Sequence, residues 1–231
     1  MRRAPVSFLF FDSNIETIPS SYSEMPQLKR LATRYRKKAE KMLLDRAIHH
    51  PILKSMADGD RRGRPDIVHL SVLSLTDTPL YQSGLANFAL HTVRDMVIVP
   101  KSIWRPPRNY NNFLSLIEQL LENKRVPPDR EPILTAAKGD LAEALNIFRP
   151  EKVVLFSSRG RLVDLRRFFE TGDHERCVYL IGAYAKGPPR KRVLELSDEV
   201  ISIYPKMLAA WVVASRAIYE LERSMKLGLL N

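Results

Sequence analysis

Cysteine is nearly absent: Cys177 is the only one in 231 residues. An intrachain disulfide is excluded, and the usage fits a reducing compartment. Because Cys177 opens an apolar run, CVYLI, it is expected to pack rather than react. Histidine is sparse too, at positions 49, 50, 69, 91 and 174, with no HxxxH or Cys/His spacing, so no metal site is expected. Long apolar runs are also missing. The longest falls in the last helix and is broken by Ser215 and Arg216, so no segment is expected to span a bilayer. The N-terminal MRRAPVSFLFFDSN carries two arginines before an apolar stretch too short for a signal peptide, and it reads as a first β-strand.

The chemistry-bearing motifs that are lacking narrow the function. There is no GxxxxGKS/T loop, no GxGxxG after the first strand and no GxSxG elbow. Nucleotide hydrolysis and a standard dinucleotide fold lose support, and no motif nominates a nucleophile. No internal repeat or low-complexity tract is present. Acids are outnumbered, 26 Asp and Glu against 37 Lys and Arg, for a net charge of +11. Such an excess implies a polyanionic partner, nucleic acid or an acidic membrane surface. The 45% hydrophobic content is that of a globular protein, and the length allows one full core.

Read in order, the chain alternates strand and helix patterns, which points to a parallel or mixed α/β sheet. A strand is expected over Val6 to Phe11, ending in the turn cluster Asp12, Ser13, Asn14. After Pro26, apolar positions Leu28, Leu31, Tyr35, Ala39, Met42 and Leu43 recur at helical spacing. Lys29, Arg30, Arg34, Lys37, Lys38 and Lys41 occupy the opposite face, either solvated or turned to phosphates. A further helical segment, LLDRAIHHPILKSM, runs to Asp58-Gly59. Arg61, Arg62 and Arg64 then crowd around Gly63 before a strand expected over Ile67 to Leu75. The runs FALHTV and MVIVP flank Arg94-Asp95 and read as a β-hairpin appended to the main sheet. Asn109 is expected to cap a helix whose buried face is Phe113, Leu116, Ile117, Leu120 and Leu121. Arg105 and Arg108 stand just before that helix start, a ready phosphate cradle.

Residues 126–138, VPPDREPILTAAK, are the most linker-like segment. A strand over Lys152 to Ser157, a helix over Leu162 to Phe169 and strands over Cys177 to Ile181 and Glu199 to Tyr204 follow. Gly182 and Gly187, just past the third of these, let backbone approach a ligand, and strand ends beside helix starts are where open α/β sheets hold them. Pro205 is expected in the first turn of a helix from Lys206 to Arg223. That helix is apolar almost all round, and a second subunit would cover the side its own sheet leaves open, so a homodimer is expected.

Five blocks together are similar to a known family: DRAIHHPILKSM (45–56), RRGRPDIVH (61–69), RPPRNYNNFLSLIEQL (105–120), IGAYAKG (181–187) and ISIYPKMLAAW (201–211). In this order, across nearly the whole chain, they resemble the Emg/Nep ribosome-biogenesis methyltransferases of the SPOUT superfamily. The resemblance implies an α/β SPOUT-type sheet with a C-terminal trefoil knot, in one domain over 1–231 with 76–104 a β-hairpin insertion. It also implies an obligate dimer, S-adenosylmethionine as methyl donor, and methylation of nitrogen-1 of a pseudouridine in small-subunit rRNA. Other ribosome assembly factors would be partners, no membrane would be involved, and the location would be the cytoplasm, or the nucleolus in a eukaryote.

Carried over residue by residue, the cofactor pocket would be built from Leu155 and the turn after it, from Gly182 to Gly187, and from Ile201, Ser202, Ile203, Tyr204, Pro205 and Lys206. The RNA contacts would be Arg64, held by Asp66, with Arg105 and Arg108. Asn112 is a further RNA-facing position in this carry-over, and it stands where the family usually has arginine; the basic helix from Lys29 to Lys41 could compensate for a weaker phosphate contact there. Transfer from a sulfonium asks mainly for in-line positioning. The acceptor N–H must still lose its proton, and Asp66 is the nearest candidate to assist; holding Arg64 is its other role. The target base would have to leave its stack to reach the pocket. The other readings are a non-catalytic rRNA-binding assembly factor with the same fold, and a SPOUT enzyme acting on another RNA or on uridine.

Overall fold

A computed structural model describes residues 4–227; Arg2 and Arg3 of the N-terminal stretch lie outside the described residues. Its strands are β1 (Val6–Ser13), β2 (Ala86–Thr92), β3 (Met96–Pro100), β4 (Arg125–Val126), β5 (Leu134–Lys138), β6 (Lys152–Leu162), β7 (Cys177–Gly182) and β8 (Glu199–Ser202). They form a single sheet in the order β4-β5-β3-β2-β1-β7-β6-β8. From β2 through β1, β7 and β6 to β8 every pairing is parallel, while β3, β5 and β4 run on antiparallel at the other side.

The helices are α1 (Pro26–Tyr35), α2 (Arg46–Leu53), α3 (Pro65–Thr76), α4 (Pro79–Gln82), α5 (Tyr110–Asn123), α6 (Leu141–Asn146), α7 (Leu165–Thr171), α8 (Lys191–Glu195) and α9 (Ala210–Ser224). Every residue of β1 is buried, as expected of a central parallel strand covered on both faces. Its side chains alternate. Phe8 and Phe10 enter a core with Tyr179, Val68 and Val72 of α3, Phe113 and Ile117 of α5, and Ala214 and Ile218 of α9. Leu9 and Phe11 enter the opposite core with Leu180, Leu155, Leu145 of α6 and Val193 of α8. A separate cluster joins α1 to α2 through Leu28, Ile52 and Leu53.

Several expectations change. Residues 67–75 are not a strand but the body of α3. Pro65 at its first turn and Asp66 beside the helix N-terminus favour that start. With Ile67, Val68, His69, Ser71, Val72, Leu75 and Thr76 all buried, the helix is covered on so many sides that its apolar residues show no clear period. The helix after Pro26 stops at Tyr35 rather than reaching Leu43. Arg36 turns left-handed at φ 51°, and the Lys37 amide donates to the Ala32 carbonyl at 3.0 Å, closing the helix end. Ala39 and Met42 are buried nonetheless, from a short turn beyond it.

Residues 126–138 do not link domains: they supply β4 and β5, with Leu134 and Ala136 turned into the core. Thr92 and Met96 bracket the hairpin turn, and β2 is an interior strand hydrogen-bonded along β1 rather than an appendage. Pro205 lies in the loop before α9, which starts at Ala210 after an extended Ala209. On α9, Ala210, Ala214, Ala217, Ile218 and Leu221 face the core, while Trp211, Val212 and Val213 are half-buried and Tyr219 is exposed.

Candidate functional site

Because β6, β7 and β8 are parallel neighbours, their C-terminal ends open on the same edge of the sheet, where α/β folds place ligands. A cleft of about 530 Å³ lies there, within the usual size for a small-molecule site. Three stretches wall it. The first is residues 156–159, where β6 breaks register with β8 between Phe156 and Arg161 and the chain bows out. Gly160 closes the bow against β8: a Cβ there would lie 2.6 Å from the Ile201 carbonyl carbon. The second stretch is the loop after β7, Gly182 and Tyr184 to Pro189. Within it Gly187 has φ +95°, which side-chain-bearing residues rarely adopt. The third runs from Ser202 to Val213, its turn tied by the Ser202 hydroxyl donating to the Tyr204 carbonyl at 2.8 Å.

Ile181, Ile203, Leu208 and Trp211 give the cleft apolar walls, and Arg64, Arg159, Lys186 and Lys206 give it cations. No carboxylate lines it among the described residues. Such a lining suits a flat aromatic group against the walls and a polyanion at the mouth.

Arg64 is the residue immediately before α3, and its amide is held by the Oδ1 of the fully buried Asn14 at 3.2 Å. Its Nε and Nη2 donate to the two carboxylate oxygens of Asp66 at 2.8 and 2.7 Å. These hydrogen bonds donated to Asp66, ahead of a smaller opposing effect of burial, raise the guanidinium pKa further. Nearby, the Tyr110 hydroxyl donates to Asp45 Oδ2 at 2.6 Å, and burial first, then that hydrogen bond, pushes the phenol well above its ordinary range.

The residues nominated from sequence divide clearly. Gly182, Gly187, Ser202, Ile203, Tyr204 and Lys206 line the cleft, with Arg64 on its rim and Asp66 behind Arg64. Leu155 and Ile201 are fully buried in the two cores beneath it and do not line it. Pro205 sits between two lining residues without being one. Arg105, Arg108 and Asn112 are exposed and outside the cleft. Their segment is nonetheless fixed to α3: His69 Nε2 donates to the Pro107 carbonyl at 2.7 Å and its ring stacks on Phe113 at 4.5 Å. Arg108 makes one loose contact, 3.5 Å to Asp77, and Asn109 caps α5 by accepting from the Asn112 amide at 3.1 Å. The turn expected after Leu155 does wall the cleft, through Ser157 and Ser158, while Met207, Leu208, Trp211 and Val213 were not nominated from sequence. The last block of similarity already reached Trp211 and could have extended the wall that far.

This is an α/β protein with a cofactor-sized cleft at parallel strand ends and one arginine, Arg64, fixed at its mouth, a layout suited to a small cofactor and an anionic substrate. The chain belongs to the EMG1/NEP1 methyltransferase family, whose match covers residues 8–222. It is 35% identical over 212 residues to the ribosomal RNA small subunit methyltransferase Nep1 of Pyrococcus furiosus, covering 91% of this chain and 93% of that one. It is 37% identical over 215 residues to the Nep1 of Pyrobaculum neutrophilum, covering 92% and 96%. Among solved structures it is similar to Archaeoglobus fulgidus Nep1 bound to S-adenosylhomocysteine, with a TM-score of 0.84 and 29% identity over 98% of this chain and 100% of that one.

Proposed function

We propose that this chain is an S-adenosylmethionine-dependent methyltransferase of small-subunit ribosomal RNA, and that it methylates nitrogen-1 of a pseudouridine. The carrying observation is the cleft at the ends of β6, β7 and β8 with Arg64 held at its mouth by Asp66. The names of the relatives and the S-adenosylhomocysteine complex of the Archaeoglobus fulgidus protein support the rRNA methyltransferase part of this reading.

The residues present fit the cofactor. The backbone of Gly182 and Gly187 allows close approach, and Ile181, Ile203, Leu208 and Trp211 offer apolar surface for an adenine. When bound, S-adenosylmethionine supplies a methyl group already activated by its sulfonium. The protein's own task is then to position the acceptor. Arg64, with Arg105 and Arg108 on the segment that His69 ties to α3, would hold RNA phosphates so that a base turned out of its stack enters the cleft. Both oxygens of Asp66 accept from Arg64, so positioning Arg64 is its main role, and proton removal by Asp66 would require breaking that fork.

Within the same reading, the chain forms a homodimer, its C-terminal part is a trefoil knot, and residues 1–231 are one domain. Exposed Tyr219 and half-buried Trp211 on α9, with exposed Met207 in the loop before it, support a partner surface there. Light scattering tests the dimer: a monomer mass at working concentration contradicts it. The location would be the cytoplasm, or the nucleolus in a eukaryotic cell, with other assembly factors alongside.

A second reading, an rRNA-binding assembly factor without catalysis, draws on the lack of a carboxylate in the cleft lining among the described residues. Calorimetric titration with S-adenosylhomocysteine separates the two. Micromolar binding supports the enzyme, and no heat at millimolar ligand supports the scaffold.

A further inference from the structure

The loop carrying Arg64 and the loop walling the cleft after β7 come from distant parts of the sequence, yet they are fastened to each other. Arg61 is the fastener. Its guanidinium carbon stands 4.0 Å from the centre of the Tyr184 ring, and Nη1 donates to the Pro188 carbonyl at 2.8 Å. Nη2 faces the buried Asp12 Oδ2 at 3.5 Å, and the side chain is only 18% exposed. Gly187 leaves the room for it, because a Cβ there would lie 2.6 Å from Arg61 Nη1. Two weaker ties lie alongside: Lys186 to Asp60 at 2.6 Å and Arg190 to Asp58 at 3.4 Å. Both are exposed and each contributes little alone.

The other end of the arginine loop is equally fixed. The Arg46 amide donates to the Gly63 carbonyl at 2.7 Å, and its Nη2 donates to the Gly59 carbonyl at 2.5 Å. Arg64 follows Gly63 directly, with its own amide on Asn14 at 3.2 Å; the Asn14 amide in turn donates to the Ala183 carbonyl of the cleft loop at 3.1 Å. Residues 58–64 are therefore held between Arg46 on one side and the cleft loop on the other.

We propose that Arg61 is a positioning residue that couples cofactor binding to RNA binding. Tyr184 to Pro189 wall the cleft, so a ligand seated there restrains the loop that Arg61 grips. Through Arg61 the restraint reaches residues 58–64 and reduces the freedom that Arg64 must give up when it meets a phosphate. A second ligand that finds the segment already ordered binds more tightly, with no change of average structure. Linkage makes the effect reciprocal: RNA tightens the cofactor by the same factor. The proposal rests on the methyltransferase reading above.

The test uses the full chain, S-adenosylhomocysteine as a non-reacting cofactor, and a pseudouridine-bearing RNA hairpin. RNA affinity is measured with and without saturating S-adenosylhomocysteine in the wild type, Arg61→Ala, Arg61→Lys and Arg64→Ala. The wild type is expected to bind RNA about fivefold or more tightly with the cofactor present, the lower end of typical coupling. Arg61→Ala is expected to bring that ratio to about one. Arg61→Lys keeps the charge beside Asp12 but not the planar stack on Tyr184, and its ratio is expected to fall most of the way. Arg64→Ala is expected to weaken RNA binding and, because the restraint acts through Arg64, to bring the ratio toward one as well; a ratio as in the wild type for Arg64→Ala overturns the route through Arg64. A wild-type ratio of one overturns the coupling alone, provided each ligand binds by itself. An unchanged ratio in Arg61→Lys overturns the role of Arg61 even if Arg61→Ala does not fold. Failure of the wild type to bind either ligand by itself overturns the methyltransferase reading and the coupling with it.

Discussion

Asp66 accepts from both Nε and Nη2 of Arg64, at 2.8 and 2.7 Å, two residues apart at the start of one helix. The fork fixes a planar guanidinium at the mouth of the cleft, with the remaining nitrogen free of those two bonds. A carboxylate so engaged orients a cation in the way Lys could not reproduce.

Removing the fork should therefore affect RNA and not cofactor. Arg64→Ala is expected to lower RNA affinity about tenfold and to reduce the salt slope by about one, as loss of a single phosphate contact does. Asp66→Asn is expected to give a smaller loss in the same direction, because the cation survives and only its orientation loosens. Titrations over a salt series, with S-adenosylhomocysteine affinity measured in parallel, check both. Equal losses for RNA and cofactor would contradict the separation.

Gly187 sits at φ +95° against Arg61. Gly187→Ala is expected to strain the cleft loop by about 1–3 kcal/mol, lowering the melting temperature by roughly 2–12 °C, and to weaken S-adenosylhomocysteine about tenfold. Calorimetry and thermal melts read the two effects separately.

Gly160 is different in kind, since backbone rather than a side chain blocks it: the Ile201 carbonyl carbon at 2.6 Å and amide nitrogen at 2.7 Å. Neither can move without shifting β8. Gly160→Ala is expected to cost ~2 kcal/mol of folding stability, the range for forcing atoms into a packed site. Chemical denaturation measures it.

Acid should destabilise the fold through two imidazoles. Burial lowers the pKa of His49 and of His174 from the usual 6.5. At His174 the neutral ring is fully used: Nδ1 accepts from the Tyr179 hydroxyl at 2.7 Å and Nε2 donates to the Phe168 carbonyl at 3.0 Å. His49 Nδ1 likewise accepts from the Asp45 amide at 2.9 Å. The unfolded chain takes up these protons first, so the contribution is complete above the unfolded value near 6.5 and is lost as pH falls through the lower folded values. Thermal melts should show a midpoint that holds above that pH and declines below it. His174→Gln should give a shallower decline from a lower starting stability.

Much of the sheet could be read from the sequence because its strands carry signals that burial reinforces. The runs that became β1, β6 and β7 are short, apolar and bounded by turn residues. The same logic failed at Ile67 to Leu75, where coverage on most sides hides a helical period in an unbroken apolar run. The proline-rich stretch before Leu134 resembled a linker because Pro127, Pro128 and Pro132 fall in the connection between β4 and β5, where turn residues are used as they are in a linker. One readable signal went unused: Asp140 and Glu143 make a capping box that starts α6. Within the site, glycines marked where the wall had to come close, so Gly182 and Gly187 were found. Leu155 and Ile201 were placed one layer too shallow, because alternation along a strand does not say which side chains meet a cleft at its end. The Arg61 contact with Tyr184 spans over a hundred residues of chain, and nothing in either segment alone announces it.

Methyl transfer itself is the most direct test of the central claim. The full chain is incubated with S-adenosylmethionine and either of two otherwise identical small-subunit rRNA hairpins, one carrying pseudouridine and one uridine at the target position, and the products are resolved by mass spectrometry. A single added methyl on the pseudouridine hairpin, placed at nitrogen-1 by fragmentation and absent from the uridine hairpin, is the predicted result. No methyl gain on the pseudouridine RNA, with cofactor binding intact, would contradict it.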